Sequence, residues 1–250
     1  MASHPIYQFY AELNDYRPTI WRRFQVLDNI TFARLGYIIQ VLFEMSASHL
    51  MAIEVPAVEN FHTHLKAMFP DESRDPSEFG IKKDLIWRYE IPNDEEEVFL
   101  DEDNVEVYDA TQSLINSAIK EPNDKLNFSY DFGDDWRVSL TLEKIFTDKD
   151  LPGKELPRVL EGAGFGIVED VGGIPGLENL VQTFKKKKGA EYKEYREWLG
   201  VDDFDITAFD LDDMNFRLQK IPRIYMTIYE DRLAPTQKSI DLIERKYLRR

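Results

Sequence analysis

The sequence predicts an α+β fold: a mixed sheet with an N-terminal ββαβ unit and a central β-hairpin, and helices concentrated in the C-terminal part. Three observations carry this. Two runs of period-two apolar alternation flank a turn near the start of the chain, and a run with helical spacing follows them. A second pair of alternating runs flanks residues 131–135. From residue 177 onward the apolar spacing becomes mainly helical.

In the first unit, Tyr7, Phe9, Ala11 and Leu13 alternate with other residues, and Ile20, Arg22, Phe24 and Val26 repeat the pattern. Residues 14–18 between them, rich in turn formers, predict a hairpin. Thr31 suits the N-cap of a following helix, and Phe32, Leu35, Ile38, Ile39, Leu42 and Phe43 give residues 31–45 an amphipathic spacing. A strand is expected over 49–55, which completes a ββαβ order, grasp-like in outline. Residues 56–105 read as an insertion or mobile loop region, with short strands at 87–91 and 98–100. A helix is expected over 110–120.

The central hairpin follows. Leu126, Phe128, Tyr130 and Phe132 alternate with polar neighbours, as do Trp136, Val138, Leu140 and Leu142. A two-residue turn would put the two apolar sets on opposite faces. A three-residue loop, Gly133-Asp134-Asp135, sets Phe132 opposite Trp136 and Tyr130 opposite Val138, keeping one apolar face. The alternative is one long strand bulged at Gly133. Residues 147–176, rich in glycine and proline, read as an irregular connection. Leu177, Leu180, Val181 and Phe184 mark a helix, and residues 190–199 a second one ended by Gly200. Short helices are expected around 209–218, an added strand at 225–229 and a last helix over 236–248. The domain reading is one α+β domain over 1–220 and a C-terminal extension, 221–250, with a basic helix.

Composition excludes several classes. The 250-residue chain has no cysteine, so disulfides, thiolate catalysis and Cys-based metal sites are out. Its net charge of −16 repels nucleic acid and anionic membranes at long range. No apolar run approaches the roughly 20 residues a membrane helix needs. Residues 1–10 lack a basic region followed by an apolar stretch, so no secretory leader is expected and a cytoplasmic location is the simplest reading.

Candidate functional residues have bland readings beside them. Asp131, Asp134 and Asp135 form a carboxylate cluster that Glu169 and Asp170 could join around a hard cation, or they cap a turn. Arg22 lies on the apolar side of its strand; either Asp131 or Asp134 pairs with it, or it reaches water. His49 is a base or ligand, or a hydrogen-bonded packing residue. His62 and His64 have ligand-compatible spacing without supporting carboxylates. Residues 162–166 lack the third glycine, lysine and strand context of phosphate-binding loops and read as a flexible loop. Lys185–Lys188 read as a solvated helix end.

Several blocks in order resemble the plasmid pRiA4b ORF-3-like family over about residues 5–220. These are Pro18-Thr19-Ile20-Trp21-Arg22-Arg23, Thr31-Phe32-Ala33-Arg34-Leu35 with Ile39-Gln40, and Ser48-His49-Leu50. The hallmark is Tyr130-Asp131-Phe132-Gly133-Asp134-Asp135-Trp136, and Glu169-Asp170-Val171-Gly172-Gly173 follows. Trp198-Leu199-Gly200, Phe204-Asp205 and Phe209-Asp210-Leu211 close the match. The resemblance implies a mixed α+β fold and a setting on plasmids, microbial genomes and mobile elements; it implies no reaction. Where family members often carry further histidines this chain has Met51 and Val138, and cysteines near Ile167 and Val171 are absent.

The functional expectation is a non-catalytic binding or regulatory module contacting a protein partner, with no cofactor, no bound metal and no membrane contact. Two alternatives stay open. One is a metal-dependent hydrolase or phosphoryl-transfer enzyme using Asp131, Asp134 and Asp135. The other is a mobile-element nucleic-acid binder acting through the basic C-terminal helix.

Overall fold

A computed structural model describes residues 4–69, 76–80, 82, 84–92 and 103–249. The strands are β1 Ile6–Leu13, β2 Trp21–Leu27, β3 Met51–Pro56, β4 Ile86–Glu90, β5 Val105–Asp109, β6 Lys125–Tyr130, β7 Trp136–Phe146 and β8 Arg158–Ala163. They form one sheet in the order β5-β4-β3-β6-β7-β1-β2-β8. Neighbours are antiparallel except β4 and β5, so the sheet is mixed. The helices are α1 Phe32–Leu42, α2 Ala57–Met68, α3 Ile115–Ala118, α4 Gly173–Lys186, α5 Ala190–Leu199, α6 Leu211–Leu218, α7 Ile221–Tyr229 and α8 Gln237–Ile243. The ββαβ opening, the central hairpin and the helix-rich C-terminal part are all present.

The first hairpin has the expected register, with Phe9 opposite Phe24 and Ala11 opposite Arg22. The Thr31 side chain accepts from the Arg34 N–H and caps α1. That helix is more buried than an amphipathic surface helix: of its eleven residues, ten are buried, leaving only Arg34 partly exposed. The reason is α7. Its Ile221 and Tyr225 are buried in the main core, and the Tyr37 ring meets the Tyr225 and Tyr229 rings at 6.1 and 6.2 Å. The strand expected at 225–229 is therefore a helix. Tyr, Thr and Ile favour strands, but Pro222 in the first turn and burial at Ile221 and Tyr225, one helical turn apart, decide the case.

The central hairpin pairs Tyr130 with Trp136 and Phe128 with Val138. Its loop is residues 131–135, two residues longer than expected. A register shift of two keeps the same apolar face, so alternation alone does not separate the two pairings. Phe132 lies in the loop, 49% exposed, with the Arg88 guanidinium over its ring. The left-handed positions belong to Asp131 and Asp135 rather than Gly133. Trp136 is fully buried beside this loop. Trp136→Ala is expected to cost about 3–5 kcal/mol; an unchanged urea midpoint would contradict its role as core anchor.

Three regions differ from the pattern reading. The helix expected over 110–120 shrinks to α3, four residues. The connection 147–176 supplies β8, an edge strand beside β2. Residues 56–105 include α2 and β4 and the first residue of β5, while the strand expected at 98–100 lies outside the described residues. Among the described residues no helix is long and apolar enough to cross a membrane.

Candidate metal centre

The hallmark loop after β6, the segment before β3 and the loop before α4 converge on one histidine. His49 Nε2 lies 3.6 Å from Asp131 Oδ2, 3.7 Å from Glu169 Oε2 and 3.3 Å from Asp170 Oδ1. One donor atom each from His49, Asp131 and Asp170 falls within 4.8 Å of the others. These separations exceed those of an ordinary N–H···O bond, about 2.7–3.2 Å. They suit two ligands of a single ion: donors about 2.0–2.2 Å from a metal and roughly 90–110° apart lie about 3–3.6 Å from each other.

Two of the carboxylates are held by one oxygen and leave the other free. Asp131 Oδ1 accepts from the N–H groups of Gly133 and Asp134 at 3.1 and 3.4 Å, which leaves Oδ2 toward His49. Glu169 Oε1 accepts from the Tyr130 hydroxyl at 2.8 Å and the Ser46 N–H at 2.5 Å. Its Oε2 is buried and has no hydrogen-bond partner among the described residues. Burial pushes the Tyr130 phenol well above its ordinary pKa, so the hydroxyl stays a donor. Tyr130 also accepts from the Ser48 N–H and meets the His49 ring edge-on. Supports of this kind fix the orientation of metal-binding side chains. His49 is 31% exposed and Asp170 70%, so the cluster opens to solvent.

Asp134 has a different task. Its Oδ2 accepts from the Gly172 N–H at 3.1 Å. A Cβ on Gly173 would sit 2.4 Å from the Asp134 carbonyl oxygen, and both glycines have positive φ. Asp134 thus ties the hallmark loop to the acidic-glycine segment, and the glycines let the two backbones meet. Asp135 points away and pairs with Arg137 at 2.8 Å. The three aspartates, read as either one cation cluster or caps of a turn, are divided: Asp131 joins the cluster, Asp134 positions it and Asp135 lies outside.

Trp21 and Arg22 form a separate arrangement. Trp21 stacks on Tyr10, with Arg23 over its ring. Arg22 is fully buried, so it neither pairs with Asp131 or Asp134 nor reaches water, the two readings its strand position left open. Its Nε donates to the Leu42 carbonyl at 2.9 Å, and one terminal nitrogen to Trp21 and Ala163, both at 2.8 Å. The other terminal nitrogen donates to Gly164 and Phe165 at 2.8 and 2.7 Å. Five carbonyls match the five N–H donors of a guanidinium. Phe209 lies 4.4 Å and Phe43 5.4 Å from the guanidinium carbon. Loss of hydration pushes the Arg22 pKa down to about 10, which still leaves it charged at neutral pH. A Cβ on Gly162 would come within 2.7 Å of the Trp21 carbonyl oxygen and 2.8 Å of Arg22 Cδ. The glycine-rich stretch is therefore an arginine cage, not a flexible loop.

The remaining histidine readings part company. His64 Nε2 lies 2.5 Å from Asp124, whereas His62 is exposed on the same helix. Met51, where family members often have histidine, is buried and accepts from Gln40 Nε2 through its sulfur. Val138 is fully buried opposite Phe128. The cluster forms without those two positions. Ser46 and Ser48, which brace it through backbone N–H groups, carry no side-chain pattern that points to such a task.

Fold and site together define a mixed-sheet α+β protein with a histidine–carboxylate cluster where three segments meet. The family model for plasmid pRiA4b ORF-3-like protein matches residues 5–213, and the chain belongs to that family. It is 32% identical over 108 residues to the uncharacterised protein y4hQ of Sinorhizobium fredii, 43% of this chain and 54% of that protein. The match thus spans about half the length of that relative. The crystal structure of MM3350 from Methanosarcina mazei Go1, a protein of unknown function, is similar with a TM-score of 0.62 and 23% identity. That likeness covers 84% of this chain and 97% of the other, and it supports the fold alone.

Proposed function

We propose that the chain binds a divalent first-row transition metal at His49, Asp131 and Asp170, with Glu169 beside them, and uses it as a Lewis acid in hydrolysis or phosphoryl transfer. The observation that carries this is the placement of three carboxylate oxygens 3.3–3.7 Å from His49 Nε2. An ion at their centre relieves the mutual repulsion of the three carboxylates. An imidazole among the donors favours manganese, cobalt or zinc over calcium or magnesium. The exposed rim at Asp170 leaves coordination positions for water and substrate, as in catalytic rather than structural sites. A bound ion lowers the pKa of its water and polarises a phosphoryl or carbonyl oxygen.

Thermal melts with added metal test the site. At about 100 times the dissociation constant, binding adds about 2.7 kcal/mol. For a chain of this size that is a rise of roughly 5–10 °C. The rise is expected with manganese, cobalt or zinc and is expected to vanish in Asp170→Asn. Asp134→Asn, which still offers an acceptor to Gly172, is expected to keep most of it. If none of these ions moves the melt, the metal reading fails.

A non-catalytic module with a protein partner is the second reading. It is favoured by Leu50 and Phe132, 54% and 49% exposed on the segments that carry the cluster. Turnover of bis-p-nitrophenyl phosphate by the metal-loaded chain supports the enzyme. Saturable metal binding without turnover of phosphate or carboxylate esters supports the module. The nucleic-acid reading draws less support, because Arg245 and Lys246 of the basic segment are engaged by Glu44, Asp213, Asp241 and Glu244.

A further inference from the structure

The C-terminal arm inserts a guanidinium into an acidic recess of the body. Arg245 lies 2.8 Å from Glu44 Oε1 and 2.9 Å from Asp213 Oδ2. The two acids are nearly buried, with side chains 9% and 10% exposed. The Tyr247 hydroxyl donates to the other Asp213 oxygen at 2.6 Å. Beside this contact is a cavity of about 280 Å³, walled by Phe165, Phe209 and Met214. Asp210 also lines it, but its carboxylate is engaged by the Asp212 and Asp213 N–H groups as the cap of α6.

Three features separate this recess from an ordinary surface ion pair. First, Glu44 already has a partner: one Arg217 nitrogen lies 2.8 Å from both of its oxygens. Second, Glu44 and Asp213 lie within the family-matched stretch, whereas Arg245 and Tyr247 come after it. Third, no residue from 231 to 247 is fully buried, although Leu242 and Ile243 pack partly against the core and Tyr247 against Phe216. Residues 231–238 are exposed, and α8 has no buried residue. With the arm in place the two carboxylates are nearly buried beside an apolar hollow, and the arm supplies part of that cover through polar contacts and partial burial.

We propose that the Glu44–Asp213 recess is a recognition site for an alkylguanidinium ligand, with the arm, residues 236–249, as a displaceable cap that fills it in cis. In the cap a single terminal nitrogen of Arg245 reaches both acids, and its Nε is buried without a hydrogen-bond partner among the described residues. A guanidinium free of the arm can present its whole planar fork to the two carboxylates, which an ammonium lacks. The apolar hollow accepts the aliphatic stem. Arginine within another protein and a free small guanidine share this chemistry.

Calorimetric titration of the full chain tests the site. Arg245→Ala is expected to bind Nα-acetyl-arginine amide saturably and at least tenfold more tightly than the parent. Agmatine binding as tightly assigns the site to free guanidines; a clear preference for the amide assigns it to arginine in a chain. Acetyl-lysine amide is expected to bind far more weakly, and adding Asp213→Asn is expected to abolish the arginine signal. The site is rejected if folded Arg245→Ala shows no saturable binding, if lysine matches arginine, or if binding survives Asp213→Asn. Should Arg245→Ala lose its fold, recovery of the melt by millimolar methylguanidine but not methylammonium supports the site. Failure of that recovery overturns it.

Discussion

A chain ending after Lys220 is expected to lose its cooperative fold. The cut falls just before α7, whose Ile221 and Tyr225 are 0% and 2% exposed. Full burial of one such side chain is worth about 1.5–3 kcal/mol. Removing the helix also uncovers the Tyr37 side of α1, a helix buried on nearly every face. The combined loss, on the order of 5 kcal/mol or more, is comparable with the whole margin of a typical domain, about 5–15 kcal/mol. The family match ends at residue 213, and the pattern reading set a domain boundary at 220. The truncated chain is expected to bind hydrophobic dye and lose near-ultraviolet circular dichroism while keeping much of its helix signal. A sharp, parent-like urea transition in that chain would refute the role given to α7.

Arg22→Met is expected to be the most damaging single substitution. It keeps much of the side-chain volume but removes five donors from five carbonyls. A stranded buried acceptor costs about 1–3 kcal/mol. Three that water fails to reach would cost about 3–9 kcal/mol. Arg22→Lys is expected to fare little better, because an ammonium has three donors and no planar fork. The cage joins β2 to the end of α1 and the stretch after β8, so the damage is global. Urea midpoints for both variants are the measurement, and a midpoint within error of the parent would remove the cage from the list of stabilising features.

What the sequence disclosed follows from range. Period-two runs located the two hairpins, and helical spacing located α1, α4 and α5, because neighbours a few residues apart decide those patterns. Register in the central hairpin was not legible, since shifts of two residues leave the same face buried. Edge strands β5 and β8 were missed because acidic or glycine-rich surroundings weaken their alternation. The partners of Arg22 are main-chain carbonyls, which no side-chain pattern reports; Gly162, needed for close approach, was the available signal. His49, Asp131, Glu169 and Asp170 were each named from the motifs. Their meeting is a long-range event between three segments, and the division of labour among Asp131, Asp134 and Asp135 depends on the direction of each side chain.

The strip from Glu44 to His49 faces two ways. Its Ser46 and Ser48 N–H groups are held by Glu169 and Tyr130 on the side of the histidine cluster. Its Met45 and Ala47 carbonyls accept from the Tyr225 and Tyr229 hydroxyls of α7. Glu44 and Ala47 both take left-handed backbone conformations, so the strip is no part of a regular ladder and draws its shape from those two flanks. Cluster and α7 are therefore expected to open as one unit in native-state hydrogen exchange. Tightening the acids around His49 is expected to slow amide exchange at Ser46 and Ser48, and loosening α7 to hasten it.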